Sequence, residues 1–268
     1  MALVWSFVVV PGTIAARGYY ELLFWGGGHV MQFAYTLLML VAWLWLASAS
    51  GVALALSARS ATILFALGFL PVLAAPLAYF FYDVVSPDHI IFFTRQMQVG
   101  GGLAAAPLAL ILLYSLLRSP PPVAAQQPWR AALIVSVLLF SVGGVIGYLI
   151  HGANVTIPAH YHGSIVGVTL AFMGLTYFLL PKLGYAEPHR RWAFAQPWIY
   201  GGGQLLHITG LAWSGGYGVQ RKVAGAAQGL ESAERVVAMG LMGLGGLVAI
   251  VGGLIFIAVV GQAMFRRR

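Results

Sequence analysis

The sequence contains no cysteine. This absence excludes disulfide bonds, iron–sulfur clusters, the Cys-X-X-Cys-His attachment of c-type haem and thiolate copper sites within the chain. Any metal that the chain binds must therefore be held by histidine, carboxylate or tyrosine side chains.

Charged residues are also scarce, at 7% of the 268 residues, and only six residues are acidic. A soluble domain carries about 25% charged residues. The apolar content of 60% and the mean hydropathy of +0.89 indicate a polytopic membrane protein instead. The net charge of +8 does not predict a nucleic-acid partner, because the basic residues occur one to three at a time between apolar runs.

Eight apolar runs have a length and composition typical of transmembrane helices, although the first is short. The sequence therefore predicts a single all-α membrane domain over residues 1–268, with seven full transmembrane segments and a short first one. The predicted segments are Ala2–Ala16, Leu22–Ser48, Ala61–Tyr82, Gln96–Leu117, Ala131–His151, Tyr161–Pro181, Pro197–Trp213 and Val236–Met264.

Lysine and arginine residues in the short loops predict the orientation in the membrane. If both termini are cytoplasmic, nine basic residues lie inside, including Arg267 and Arg268, and five lie outside, including Arg221 and Lys222. This bias favours cytoplasmic termini. It also places Asp88, His89, His151, His160 and His162 near the outer face.

Three of the seven histidines, His151, His160 and His162, lie within twelve residues at the entrance to an apolar run. Imidazole is the commonest metal ligand, and an ionisable ring at a membrane edge indicates a functional site. At about 100° per residue, His160 and His162 point to nearly opposite sides of a helix. One helix start could therefore offer a ligand to each of two cofactors. A histidine-rich turn that binds no metal is the alternative.

Further motifs lie on both sides of this stretch: Gly28-His29, Asp88-His89 and Arg221-Lys222. In this order, the motifs resemble the second half of the catalytic subunit of the haem–copper oxidase superfamily, which includes the nitric oxide reductases. The resemblance covers nearly the whole chain and rests on four short motifs with similar separations.

The resemblance implies two haems. His160 would be the axial ligand of a high-spin haem, and His162 would be one axial ligand of a low-spin haem. Arg221 and Lys222 would neutralise haem propionates, because cationic side chains pair well with carboxylates. His151 would lie near the same propionates, although its spacing to His160 is about one residue longer than in the family.

The resemblance also implies a non-haem metal bound by His29 and His89. The family has a His-His pair where this chain has Asp88-His89. Two histidines and one carboxylate are typical of non-haem Fe(II), whereas an all-histidine set suits copper. We therefore expect Asp88 to be the third ligand and iron to be favoured over copper. The alternative is that Asp88 caps the following helix.

The expected catalytic residues are thus His29, Asp88, His89 and His160, and the expected reaction is the reduction of nitric oxide to nitrous oxide. Oxygen-reducing relatives carry a tyrosine one turn after the first metal histidine, where this chain has Phe33. Three alternatives stay open. They are a divergent terminal oxidase with copper, an electron-carrying b-type cytochrome subunit without catalysis, and a non-catalytic channel or scaffold.

The resemblance further implies partners. The family's first helices, which carry the other low-spin haem ligand, have no counterpart here, so we expect a second membrane subunit to supply them, unless the chain is a fragment. Of the unassigned histidines, His189 is predicted on the inner side, and His207 is expected to be a packed residue bonded to a carbonyl. Electrons would come from cytochrome c or a quinol. The expected location is a prokaryotic inner membrane, with the metal site toward the outer face.

Overall fold

The computed structural model describes residues 1–223 and 225–266, so Arg267 and Arg268 of the predicted inner set lie outside the described residues. Over these ranges the chain forms ten α-helices, joined by loops and short 3-10 turns, and no β-strand. The all-α prediction is therefore confirmed. The helices are α1 (Ala2–Val9), α2 (Ala16–Ala49), α3 (Ala58–Phe69), α4 (Ala75–Phe81), α5 (Pro87–Gly100), α6 (Gly102–Arg118), α7 (Gln127–Tyr148), α8 (Thr156–Leu179), α9 (Arg190–Gly216) and α10 (Ala233–Phe265).

Six helical stretches are long and apolar enough to cross a membrane, which supports a membrane-embedded protein. Two of them combine consecutive helices, α3 with α4 and α5 with α6. The six are Ala16–Ala49, Ala58–Phe81, Pro87–Arg118, Ala124–Tyr148, Thr156–Leu183 and Ala233–Phe265.

The predicted count of eight segments is not confirmed. The segment predicted at Ala2–Ala16 contains only the eight residues of α1, and Pro11 and Gly12 follow it, both of which disfavour helix. The segment predicted at Pro197–Trp213 lies inside α9. That helix has 27 residues, but it begins with two arginines and contains several glycine and polar residues, so it is less apolar than the six.

The described chain forms two compact units, and the first comprises Met1–Leu40 and Ala55–Ile111. Its aromatic core surrounds the fully buried ring of Phe93, which packs with Trp25 and Tyr79. The indole nitrogen of Trp25 in α2 donates to the carbonyl of Ile90 in α5, at 3.2 Å. This contact holds the part of α2 that carries His29 against the start of α5.

The second unit comprises Val41–Leu54 and the described residues of Leu112–Arg268, and helices α7 to α10 form most of it. Small residues allow these helices to approach closely. A Cβ added to Gly143 in α7 would lie 2.8 Å from the Cα of Gly163 in α8. Likewise, a Cβ added to Gly203 in α9 would lie 2.5 Å from the backbone nitrogen of Ala249 in α10. The close contact of α7 with α8 positions the ring of His160.

Candidate functional site

His29 lies in α2 with its ring orientation fixed by the backbone. Its Nδ1 lies 2.7 Å from the carbonyl oxygen of Trp25, one turn earlier. A carbonyl can only accept, so Nδ1 must carry the proton, and Nε2 keeps its lone pair. The ring also packs beside Trp25, with centroids 4.8 Å apart. His29 is therefore prepared to act as a ligand through Nε2.

His89 is almost fully buried, at 1% exposure, in the first turn of α5. Its ring packs against Phe93 and Tyr79, with centroids 5.1 and 4.8 Å away. Neither ring nitrogen makes a well-formed hydrogen bond among the described residues, although the backbone of Ala78 lies nearby. A buried polar group without a partner destabilises the fold unless something else binds it. This ring therefore fits a metal ligand.

Two of the predicted metal ligands of the first unit contact the same aromatic ring, whereas the third, Asp88, lines a groove. The rings of His29 and His89 both lie beside Phe93, at centroid distances of 6.1 and 5.1 Å. Asp88 is exposed and lines an open groove of about 490 Å³ together with Arg95 and Gln96. Within the described ranges, no three His, Asp or Glu side chains are grouped as a metal site.

The alternative that Asp88 caps α5 is wrong, because Ser86 is the N-cap. The hydroxyl of Ser86 accepts from the backbone nitrogen of His89 at 3.3 Å. Asp88 instead occupies the first turn, where a carboxylate is favourable near the positive end of the helix dipole. Its side chain is not needed for capping and stays available for another role.

Two residues near His89 were missed by the sequence analysis. Tyr79 packs its ring on His89, and its hydroxyl lies 3.0 Å from both the Ser6 hydroxyl and the Ala2 carbonyl. Asp83, the other aspartate of the chain, is close enough to interact electrostatically with His89. The sequence offered one signal for Asp83, since it lies only five residues before Asp88.

His160 lies at the start of α8 and faces α7. Its Nδ1 donates to the carbonyl of Gly143, at 2.7 Å, which leaves Nε2 free to act as a ligand. A Cβ on Gly147, one turn further along α7, would lie 2.8 Å from this Nδ1. Gly143 thus binds the His160 ring through its carbonyl, and Gly147 leaves space for the ring. Their spacing of four residues on one helix face is the sequence signal that could have revealed it.

His162 faces α9 whereas His160 faces α7, so the two rings contact different helices. Its side chain is exposed, and its ring lies against that of His207, with centroids 4.7 Å apart and planes at 64°. His207 donates from Nδ1 to the carbonyl of Met242 in α10, at 2.9 Å. The prediction of a packed histidine bonded to a carbonyl is confirmed for His207.

The predicted propionate-binding residues lie at the same end of the second unit as the start of α8. The backbone nitrogen of Val155 donates to the carbonyl of Val219, at 3.0 Å, and Asn154 pairs with Gln220 as an isolated β-bridge. These contacts hold the Arg221-Lys222 turn beside the first turn of α8. Lys222 adopts a left-handed conformation, with φ of 61°.

His151 is exposed in the loop before α8. Its carbonyl accepts from the side-chain amide of Asn154, at 2.9 Å, and the amide oxygen of Asn154 in turn accepts from the Thr156 nitrogen. The loop therefore places His151 at the same end as Arg221 and Lys222. This end combines basic side chains with imidazoles, a donor set that fits a ligand carrying carboxylates.

The chain is similar to two uncharacterized proteins. The chain is 32% identical to an uncharacterized protein of Rickettsia prowazekii (strain Madrid E) over 294 aligned residues, which cover 96% of this chain and 57% of that protein. It is 31% identical to an uncharacterized protein of Aquifex aeolicus (strain VF5) over 170 residues, which cover 63% and 40%. The chain thus spans about half the length of the curated relatives it matches. No protein-family model matches it.

Proposed function

We propose that this chain is a subunit of a membrane oxidoreductase related to the haem–copper oxidase superfamily, and that it reduces nitric oxide to nitrous oxide. The observation that supports this most directly is the fixed tautomer of two histidines. His29 and His160 each donate one ring proton to a backbone carbonyl. Metal-ligating histidines usually have such a partner, which orients the ring and raises the basicity of the other nitrogen.

In this proposal His160 is the axial ligand of a high-spin haem and His162 is one ligand of a low-spin haem. When bound, the haems supply redox-active iron for electron transfer and for binding of the substrate. Gly143 orients His160 through its carbonyl, and Gly147 leaves room for the ring. The positive charges of Arg221 and Lys222, with His151 nearby, bind the propionates.

His29, His89 and Asp88 hold the non-haem metal in this proposal. His29 offers Nε2, and either nitrogen of the buried His89 ring is available. The carboxylate of Asp88 would complete a two-histidine, one-carboxylate set, which favours iron over copper. Asp83 is the competing carboxylate, because it interacts with His89.

Nitric oxide is the preferred substrate because of the electron requirement. The reaction 2 NO + 2 e⁻ + 2 H⁺ → N₂O + H₂O needs two electrons, whereas O₂ reduction to water needs four. The tyrosine that supplies an electron in oxygen-reducing relatives is replaced at the matching position by Phe33, which is buried at 2% exposure. This chain therefore lacks a tyrosine one turn after His29, and Tyr35 lies on a different face of α2.

Oxygen reduction is the second candidate, and one observation favours it. Tyr79 lies against His89, with ring centroids 4.8 Å apart, and its hydroxyl is hydrogen-bonded. A tyrosine beside a metal ligand could supply the additional electron from a different helix. Tyr79→Phe would then abolish O₂ consumption, whereas it should leave NO consumption largely intact if nitric oxide is the substrate.

The proposal includes partners. A second membrane subunit supplies the other axial ligand of the low-spin haem, and cytochrome c or a quinol delivers the electrons. The exposed position of His162 on α8 supports an additional helix on that side. Purification of the native complex and identification of its subunits by mass spectrometry tests this part.

The central experiment measures haem and metal stoichiometry of the purified complex together with NO and O₂ consumption. We expect two haems and one non-haem iron per complex, with faster turnover of NO than of O₂. His160→Ala should remove the high-spin haem signal and the activity, while His189→Ala, at the N-terminus of α9, should retain both. A complex without haem absorbance would refute the proposal and favour the alternative of a non-catalytic scaffold or channel.

A pair of aspartate variants tests the carboxylate ligand. Asp88→Asn should lower the non-haem metal content and leave both haems in place, whereas Asp83→Asn should retain the metal. If Asp83→Asn instead loses the metal and Asp88→Asn keeps it, the assignment of Asp88 is wrong and Asp83 is the ligand.

A further inference from the structure

We propose that His207 is a positioning residue, which accepts a hydrogen bond from His162 and thereby fixes the imidazole that ligates the low-spin haem. This inference rests on the proposed function, because it concerns the haem ligand that His162 provides there. It assigns to the α9 histidine a role beyond packing. The three groups involved are the ring of His162 on α8, the ring of His207 on α9 and the carbonyl of Met242 on α10.

The tautomer of His207 is fixed by α10. Its Nδ1 donates to the Met242 carbonyl at 2.9 Å, so Nε2 carries a lone pair and can only accept. Close packing of α9 on α10 makes this bond possible. A Cβ on Gly245 would strike the backbone nitrogen of His207, and one on Gly246 would lie 3.3 Å from Nδ1. The two glycines thus allow the carbonyl to reach the ring.

The ring of His162 lies beside the ring that carries this lone pair. The two ring centroids are 4.7 Å apart, a separation at which two imidazole nitrogens can form a hydrogen bond after a rotation about the His162 Cβ–Cγ bond. The rings now meet edge to face, at 64°, without that bond. We therefore expect haem binding to select the rotated ring, in which one nitrogen of His162 donates to His207 and the other faces the iron.

His29 and His160, the two other histidines proposed as ligands, each have a hydrogen-bond acceptor that fixes the ring, and His162 needs an acceptor too. His29 donates to Trp25 and His160 donates to Gly143, in each case to a backbone carbonyl. For His162, the acceptor beside the ring is the imidazole of His207, which is itself held by a carbonyl. The Gly143 carbonyl orients His160, the proposed ligand of the high-spin haem. The hydrogen bonds from His162 to His207 and from His207 to Met242 would orient the ligand of the low-spin haem in the same way.

The hydrogen bond from His162 to His207 has an electronic consequence. A ligand that donates its remaining N–H to an acceptor becomes more basic and stabilises ferric over ferrous iron. Loss of the acceptor should therefore raise the midpoint potential of the low-spin haem. The high-spin haem on His160 has a separate partner in Gly143, so its potential provides an internal reference.

The test compares three variants of the purified complex. His207→Leu removes the acceptor, His207→Gln keeps an acceptor oxygen at a similar reach, and His189→Gln changes the histidine at the N-cap of α9. Redox titration of each haem and electron paramagnetic resonance of the ferric low-spin haem are the measurements. We expect His207→Leu to shift the low-spin potential upward, His207→Gln to restore it toward the native value, and His189→Gln to leave it unchanged.

The outcomes separate this inference from the proposed function. Two haems in the native complex, with the same low-spin potential and spectrum in His207→Leu, would overturn the role of His207 and leave the proposed function standing. Loss of the low-spin haem in His207→Leu with recovery in His207→Gln supports the role. Loss in both variants overturns it, since packing of the ring would then be sufficient to explain the effect. A native complex without haem overturns both proposals.

Discussion

The Nδ1 nitrogen of His160 donates to the carbonyl of Gly143, across the contact between α8 and α7, at 2.7 Å. This bond exists because Gly143 and Gly163 bring the two helix backbones together, which side chains at these positions would prevent. The orientation of a proposed haem ligand therefore depends on helix packing rather than on the His-X-His motif alone.

Gly143→Ala should separate α7 from α8. The added Cβ would lie 2.5 Å from the Ser164 nitrogen and 2.8 Å from the Gly163 Cα, and backbone atoms cannot rotate away. Overpacking of this kind costs about 1–3 kcal/mol. We expect thermal unfolding in detergent to show that loss, together with a weaker high-spin haem signal. Gly144→Ala is the matched control, because a Cβ there meets nothing within 4 Å. Equal stability of the two variants would contradict the structure.

Gly147→Ala should act on the ligand more than on the fold. Its Cβ would lie 2.8 Å from Nδ1 of His160 and 2.9 Å from Cε1, which are atoms of a side chain that can move. The ring should therefore turn and weaken its bond to Gly143. We expect a changed high-spin haem spectrum with an unfolding temperature close to that of the native protein. An unchanged spectrum in a haem-loaded variant would show that the His160 ring does not lie beside Gly147.

Arg130 should stabilise the second unit by satisfying two carbonyls. It is 6% exposed, and its guanidinium donates to the Ser50 carbonyl at 2.7 Å and to the Pro120 carbonyl at 3.1 Å. The Ser50 carbonyl is buried, and the loss of its partner costs about 1–3 kcal/mol, whereas Pro120 is exposed. Arg130→Leu should therefore lower the free energy of unfolding by roughly 2 kcal/mol. Arg118→Leu, at an exposed arginine, should change it by less than about 0.5 kcal/mol. Unfolding curves with equal midpoints for the two variants would contradict this.

The local features of the site could be predicted from the sequence. The helix period is a property of the backbone, so the two-residue spacing of His160 and His162 was sufficient to predict that they face different neighbours. Hydropathy likewise predicted the all-helical membrane character. The count of eight segments is not confirmed because it depended on α1 and α9. Helix α1 is too short to span a membrane, and α9 is less apolar than the six candidate spans.

The hydrogen-bond and packing partners of the candidate histidines could not be predicted, because they depend on packing between segments distant in sequence. Gly143 lies 17 residues before His160, and Met242 lies 35 residues after His207. Tyr79 and His89 belong to different helices, α4 and α5, and both pack on Phe93. The capping of α5 by Ser86 rather than Asp88 was a local feature, and the Ser86-Pro87 pair at the helix start could have indicated it.

His89 should reduce the stability of the metal-free protein, which makes its role measurable without activity. Its ring is 1% exposed, and both nitrogens lack a partner among the described residues. Leucine has a similar volume and no polar atom, so His89→Leu should raise the free energy of unfolding of metal-stripped protein by about 1 kcal/mol. The same variant should lose the non-haem metal. His29→Leu is the matched control, since it loses the bond to Trp25 and should lower stability slightly while also losing the metal. Thermal unfolding of the stripped proteins and elemental analysis of the loaded ones are the measurements. Destabilisation of stripped protein by His89→Leu would show that its nitrogens are satisfied within the fold and are not held ready for a metal.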